Sequence, residues 1–227
     1  MTKIGIIVAA GGSSVRFAGG NKLLAPMAGM PLLCHCLRTF GTIPDAEIII
    51  ATAPEAQLPC RQAVAGFLPE LHRRLRWCDG GACRSRSVQH ALQALAALPA
   101  PPEIIAVHDG ARPHVSAALL TRCVAAVEDG ADGAIACHAV TDTIHMLSGG
   151  EDSLRLAQTL PRPRLIAAET PQVFRRQTLE RAFAAWPQDA PAPTDEAQLV
   201  MALPGCRTVP VFNDAPNPKI TYRHDLV

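Results

Sequence analysis

Five short runs of this chain, residues 4–8, 47–51, 75–78, 104–108 and 133–137, are dominated by apolar and β-branched residues and do not alternate with polar ones. A strand with one wet face alternates, whereas one covered on both faces reads as a near-continuous apolar run. Helix candidates lie between these runs, near residues 31–41, 55–68, 85–98 and 116–129. In the third, Val88, Ala91, Leu92 and Leu95 follow the i, i+3, i+4, i+7 stripe, with Ser85 or Ser87 as its cap. Strands alternating with amphipathic helices predict an α/β fold, a doubly wound and mostly parallel sheet. The 227 residues fit one such domain over 1–227, and the 48% hydrophobic content supplies its core.

The rhythm breaks after about residue 140. Residues 141–170 carry Gly149-Gly150 and the pair Pro161 and Pro163, with no helical pattern. A structureless connection of that length inside a compact domain is improbable, so the stretch is expected to be a β-arm that meets a second subunit. Residues 187–193 read as a turn-rich linker, after which Thr194 and Asp195 open another helix as a capping pair.

Charge and cysteine usage narrow the function. A net charge of +1 without a basic tail or stripe argues against nucleic acid as partner. The eight cysteines are scattered with no C-x-x-C pair, and Cys34-His35-Cys36 is too tightly spaced for an ordinary zinc site. Without a signal-peptide pattern they are expected to be reduced thiols in a cytoplasmic protein. No apolar run approaches the ~20 residues of a membrane span. Of 21 basic residues only Lys3, Lys22 and Lys219 are lysines, and a compact ammonium is a point charge suited to phosphate.

Ligands of doubly wound sheets bind at the carboxyl ends of the strands. The first such segment, VAAGGSSVRFAGGNK at residues 8–22, matches neither G-x-G-x-x-G nor the P-loop. Its glycines admit an anionic oxygen to the backbone, and Arg16 and Lys22 reach the same anion; the competing reading is a tight turn with solvated charges. The second, DGGACRSRSV at residues 79–88, leads into a helix N-terminus, as an anion or base site or simply as a capped helix. The third, VHDGARP at residues 107–113, puts Asp109 directly after a buried strand. There it either holds Mg²⁺ together with substrate phosphates or pairs with Arg112. His108 reads as a packed strand-end residue. Downstream, DTIH, ETPQVF, PTDEA and NPKIT carry bland readings as turn, turn, helix cap and strand start.

Taken in this order, the segments resemble the 2-C-methyl-D-erythritol 4-phosphate cytidylyltransferases of the non-mevalonate isoprenoid pathway, over residues 4–226. AAGGSSVRF…NK is similar to the family's A-A-G-x-G-x-R…P-K, GGACRSRSV to G-G-x-x-R-x-x-S-V, and VHDGARP to V-H-D-A-A-R-P. TPQVF, TDEA and NPKIT likewise resemble T-P-Q-x-F, T-D-[DE]-A and N-I-K-[IV]-T. The resemblance implies a Rossmann-like nucleotidyltransferase fold, a homodimer, and transfer of CMP from CTP to a sugar-alcohol phosphate with release of pyrophosphate. It implies that Arg16, Lys22 and Lys219 surround the reacting phosphates. Ala9, Ala10, Gly11 and Gly12 would line the nucleotide, and Gly81, Ala82 and Ser87 would read cytosine. Asp109 would hold Mg²⁺. Arg112, Thr143, Arg162, Thr170 and Thr194, with Asp109, would bind the acceptor, Arg162 coming from the partner's arm.

Several positions depart from the family pattern. Asn21 stands where Pro is common, His145 where Lys is common, Gly110 replaces Ala, and Pro218 interrupts Asn-Ile-Lys. Asp214 is a weak candidate for a second metal carboxylate. NKLLAPMAGMPLL looks more like molybdenum-cofactor cytidylyltransferases, which share the nucleotide half. The sequence stops at Val227, without the closing helix many members carry. Two alternatives stay open: a cytidylyltransferase for another polyol phosphate such as ribitol 5-phosphate, and a nucleotide-binding protein without turnover. HDGARP favours the methylerythritol phosphate enzyme over the first. Four charged residues placed around a reacting phosphate argue against the second.

Overall fold

The computed structural model describes residues 2–12, 15–17, 20–150, 153–187 and 189–226. Ser13 and Ser14 of the opening loop, and Gly19 ahead of Asn21, lie outside the described residues. Strand β1 (Ile4–Ala10) is followed by a minimal hairpin, β2 (Pro26–Met27) and β3 (Met30–Pro31), and by helix α1 (Leu32–Phe40). Then come β4 (Glu47–Thr52), α2 (Pro54–Phe67), α3 (Pro69–His72), β5 (Arg76–Asp79), α4 (Arg84–Ala96), β6 (Ile104–Asp109), α5 (Ala117–Glu128) and β7 (Gly133–Ala139). The chain leaves as β8 (His145–Ser148) and β9 (Arg155–Thr159) and returns as β10 (Ile166–Arg175). It closes with α6 (Arg176–Ala185), α7 (Glu196–Met201) and β11 (Thr208–Phe212).

Seven strands share one sheet in the order β11-β7-β10-β6-β1-β4-β5. Their pairings are parallel except those of β10, which runs antiparallel to both β6 and β7. Successive side chains explain why the runs do not alternate. Ile6, Val8, Ile48, Ile50, Ile104 and Ala106 pack under α1, α2 and α5, while Ile7, Ile49, Ala51, Ile105 and Val107 pack under α4, α6 and α7. Both faces are dry, so the pleat demands apolar residues at every position.

This topology locates the site. From β1 the sheet grows through β4 to β5 on one side, and the chain then crosses to β6 on the other. The gap at the carboxyl ends of β1 and β6 is therefore the point where the winding reverses, where ligands bind in such sheets. Ala9 and Asp109 face each other across it in register.

Three expectations need correcting. The arm expected over 141–170 is narrower: β8 and β9 form a separate two-stranded ribbon, while residues 166–170 belong to β10 in the main sheet, Ile166 pairing with Ala139. Neither Ser85 nor Ser87 caps α4. The helix begins at Arg84, the cap position is Cys83 with no side-chain bond, and both serines are buried within the first turns. ETPQVF is strand rather than turn, and NPKIT lies outside any strand. As expected, Asp195 caps α7, accepting a bond from the Gln198 amide at 3.0 Å. His108 is packed, at 0% exposure, edge-on to Phe40 and bonded to the Arg112 carbonyl.

Candidate active site

A cleft of about 380 Å³ opens at the carboxyl ends of β1 and β6. Among the described residues its wall contains Arg16, Lys22, Arg84 and Lys219, a single carboxylate, Asp109, and the backbone of Ala9, Ala10, Gly11 and Gly12. Ala82 and Ser87 close the other side. Residues separated by more than two hundred positions thus converge on one cleft.

Each group is held by local structure. Asn21 caps the 3₁₀ turn at Lys22–Leu24, its side chain accepting a bond from the Leu23 amide at 3.0 Å. That cap gives the family's usual Pro position a role here: it starts the turn that aims Lys22. The Lys22 ammonium donates to the Ile220 carbonyl at 3.0 Å. Ile220 in turn donates its amide to the Ala111 carbonyl at 2.9 Å, which seats the segment carrying Lys219 beside the end of β6. Burial, aided by the neighbouring Lys219 and Arg16 charges, pushes the Lys22 ammonium below the ordinary lysine range.

On the opposite wall, the Ser87 hydroxyl accepts from the Gly81 amide at 3.0 Å and donates to the Cys83 carbonyl at 3.0 Å. A Cβ on Gly81 would fall 2.5 Å from the Arg86 Cβ, so only glycine fits the turn.

Asp109 is 6% exposed and surrounded by cations. Its Oδ1 accepts from Arg84 Nε at 2.8 Å, Oδ2 lies 2.7 Å from Lys219 Nζ, and Arg112 Nε is 3.9 Å away. Burial alone would raise its carboxyl, but Arg84 and Lys219 outweigh burial and hold it well below the usual carboxylate range. Arg84 is anchored from behind: its Nη1 donates to both oxygens of Glu196 at 2.8 Å, and Glu196 is 0% exposed. Arg84 and Glu196 lie in motifs legible in the sequence, but neither carries a sequence-based role. The signal was the first of the two arginines in GGACRSRSV and the second of the two acidic residues in TDEA.

The expected competitor, an Asp109–Arg112 pair, is present only as the longest of three contacts. Asp109 as a magnesium ligand has a clear geometric test. Among the described residues no three His, Cys, Asp or Glu side chains lie together. One carboxylate in a cation-lined cleft fits an ion that takes most of its oxygens from a triphosphate and water, not an all-protein cage. Asp214 does not join it; it pairs with Arg122 at 3.0 Å on an exposed surface.

The remaining expected residues divide. Gly81 sits behind the cleft wall. Thr170 is buried beneath Asp109, its hydroxyl accepting from the Asp109 amide at 3.1 Å. Arg112 donates to the Asn217 carbonyl at 2.7 Å, and its Nε is a buried donor without a hydrogen-bond partner. Thr194 is exposed and bonded to Gln198 as part of the α7 cap. Thr143 and Arg162 lie on the exposed arm, Arg162 donating to the Thr141 carbonyl at 2.6 Å. Within one chain, Thr143, Arg162 and Thr194 do not reach the cleft wall.

The family model for 2-C-methyl-D-erythritol 4-phosphate cytidylyltransferase matches residues 4–227. The chain belongs to this cytidylyltransferase family. It is 36% identical to the Prochlorococcus marinus enzyme of that name, over 97% of this chain and 93% of that one. It is also 36% identical to the bifunctional enzyme IspD/IspF of Caulobacter vibrioides, over 100% of this chain and 56% of that protein. The chain thus spans a little over half the length of the bifunctional relatives it matches. Among solved structures, the Thermus thermophilus cytidylyltransferase superimposes with a TM-score of 0.76 at 29% identity, covering 99% and 95% of the two chains. The mostly parallel sheet with helices on both faces is the fold of this cytidylyltransferase family. All eight cysteines are free of disulfides, and among the described residues no helix is long and apolar enough to cross a membrane.

Proposed function

We propose that the protein transfers the cytidylyl group of CTP to 2-C-methyl-D-erythritol 4-phosphate and releases pyrophosphate. The observation that carries this reading is the convergence of Arg16, Lys22 and Lys219 on one cleft beside the lone carboxylate of Asp109. An acceptor phosphate monoester is already anionic and needs no general base. In-line attack at the α-phosphorus spreads charge over its equatorial oxygens, and fixed cations stabilise that charge as it forms. Among the described residues the wall holds no His, and its one cysteine, Cys83, precedes α4, with its carbonyl accepting from Ser87.

Ala9, Ala10, Gly11 and Gly12 bring the backbone to the nucleotide, and Gly81, Ala82 and Ser87 frame a space for a small pyrimidine ring. Asp109 would hold Mg²⁺ carried in with CTP, the ion supplying neutralisation of the triphosphate. Arg112, whose Nε makes no hydrogen bond, and Thr170, directly behind Asp109, belong to the acceptor side, which Thr194 joins only where the acceptor extends past the cleft wall. Thr143 and Arg162 reach an acceptor only if the arm delivers them to another subunit, so the protein acts as a homodimer joined through its ribbon. The free cysteines fit a reducing cytoplasm.

Pyrophosphate release from CTP and Mg²⁺ against a panel of sugar-alcohol phosphates tests the reading. Turnover with 2-C-methyl-D-erythritol 4-phosphate is expected. Turnover with ribitol 5-phosphate alone would reassign the acceptor, and CTP binding without turnover on any acceptor would overturn the enzyme reading.

A further inference from the structure

Asp109 faces three cations within 4 Å, namely Arg84, Lys219 and Arg112. Each of these cations competes with a divalent ion for the one carboxylate. A second carboxylate, Glu196, corrects the balance from behind. It reaches the chain's cleft only through Arg84, whose Nη1 lies 2.8 Å from both of its oxygens while Nε lies 2.8 Å from Asp109. The two carboxylates share one guanidinium, and the five-residue set carries a single net positive charge, which loss of Glu196 would double. Glu196 has no exposed surface, so solvent and salt screen it weakly. A buried ion pair is a poor source of stability compared with apolar packing, so its place directly behind the lone carboxylate of the cleft points to charge rather than to packing.

We infer that Glu196 sets the charge at Asp109: by offsetting Arg84 it removes one of the three positive charges beside Asp109 that oppose a divalent cation arriving with a nucleoside triphosphate. Glu196 touches neither substrate nor metal and is a positioning residue. The inference rests on the proposed nucleotidyl transfer, whose cleft it describes.

The probe is Mn²⁺ with saturating CTP and no acceptor, read as free Mn²⁺ by electron paramagnetic resonance on the full chain. CTP affinity measured separately in EDTA defines saturation. Glu196→Gln is expected to need at least about tenfold more Mn²⁺ for half-occupancy, as one uncompensated charge nearby in a partly desolvated site implies. The double variant Arg84→Gln/Glu196→Gln removes both charges and is expected to return to within about threefold of the unaltered protein, the non-additivity of coupled residues. The double variant has no unpaired buried charge and keeps the test decisive if Glu196→Gln does not fold. A fall in melting temperature without a Mn²⁺ shift in Glu196→Gln, or a double variant as weak as the single one, overturns the inference. An unaltered protein that turns over acceptor yet retains no Mn²⁺ with CTP overturns this inference alone. One that does neither overturns the proposed function with it.

Discussion

One of only three lysines in the chain, Lys22, sits half-buried at the cleft with its ammonium on the Ile220 carbonyl. In the proposed reaction, replacing it by alanine removes a fixed cation next to the phosphate under attack but leaves the glycine backbone and the Gly81–Ser87 segment untouched. Lys22→Ala should therefore lower kcat at least about tenfold while changing the KM for CTP much less, measured by pyrophosphate release. An unchanged kcat would remove the opening loop from the reaction. Arg16, between Val15 and Phe17, owed its role to the family resemblance, whereas Lys22, Asp109 and Lys219 were legible as candidates because each adjoins Asn, Gly or Pro in a loop or at a strand end. Arg84 and Glu196 were not. Their pairing spans 112 positions, and nothing local distinguishes a buried, shared arginine from a solvated one on a helix end.

At the scale of elements, β10 is the instructive case. Its middle carries Glu169, Thr170 and Gln172, all buried, so it has neither the apolar run nor the alternation of a strand. It is stable because distant partners satisfy each polar group: Thr170 meets the Asp109 amide, and Gln172 meets Asp195 and the Ala197 amide. The bulge between Ala168 and Gln172 breaks its register further. At the other end of the same pair of strands, Gly133 lies against the Phe174 ring, where an added Cβ would come within 2.7 Å. Gly133→Ala should destabilise the fold by about 1–3 kcal/mol, read by urea unfolding, since a packed aromatic ring must shift to admit it. CTP affinity in the folded protein should be unaltered, because this contact lies at the opposite edge of the sheet from the cleft. Loss of affinity in parallel with stability would mean that the two edges are coupled.

At the scale of the molecule, the β8–β9 ribbon stands away from the main sheet with its apolar residues in water. Leu147 and Leu156 are register partners, 55% and 69% exposed. Such a surface on a ribbon with no core of its own fits burial against another copy. Changing both leucines to glutamate should convert a dimer to a monomer in sedimentation velocity, leave CTP binding intact, and raise the KM for the acceptor. A monomer with unchanged acceptor KM would show that Thr143 and Arg162 act on no neighbouring subunit.

The residues alone determined the layered architecture, because runs that are apolar at every position have a stable home only between two helical faces. Their motifs also pointed, through the family resemblance, to Arg16, Lys22 and Lys219 as candidates, two of them already conspicuous among only three lysines. Tertiary structure decided how the charges are shared. Which carboxylate meets which arginine depends on the order of strands in the sheet, and that order brings the end of β6, the start of α4 and the start of α7 to one point. An electrostatic balance of this kind is a property of distances in space, and the spacing of residues along the chain does not encode it.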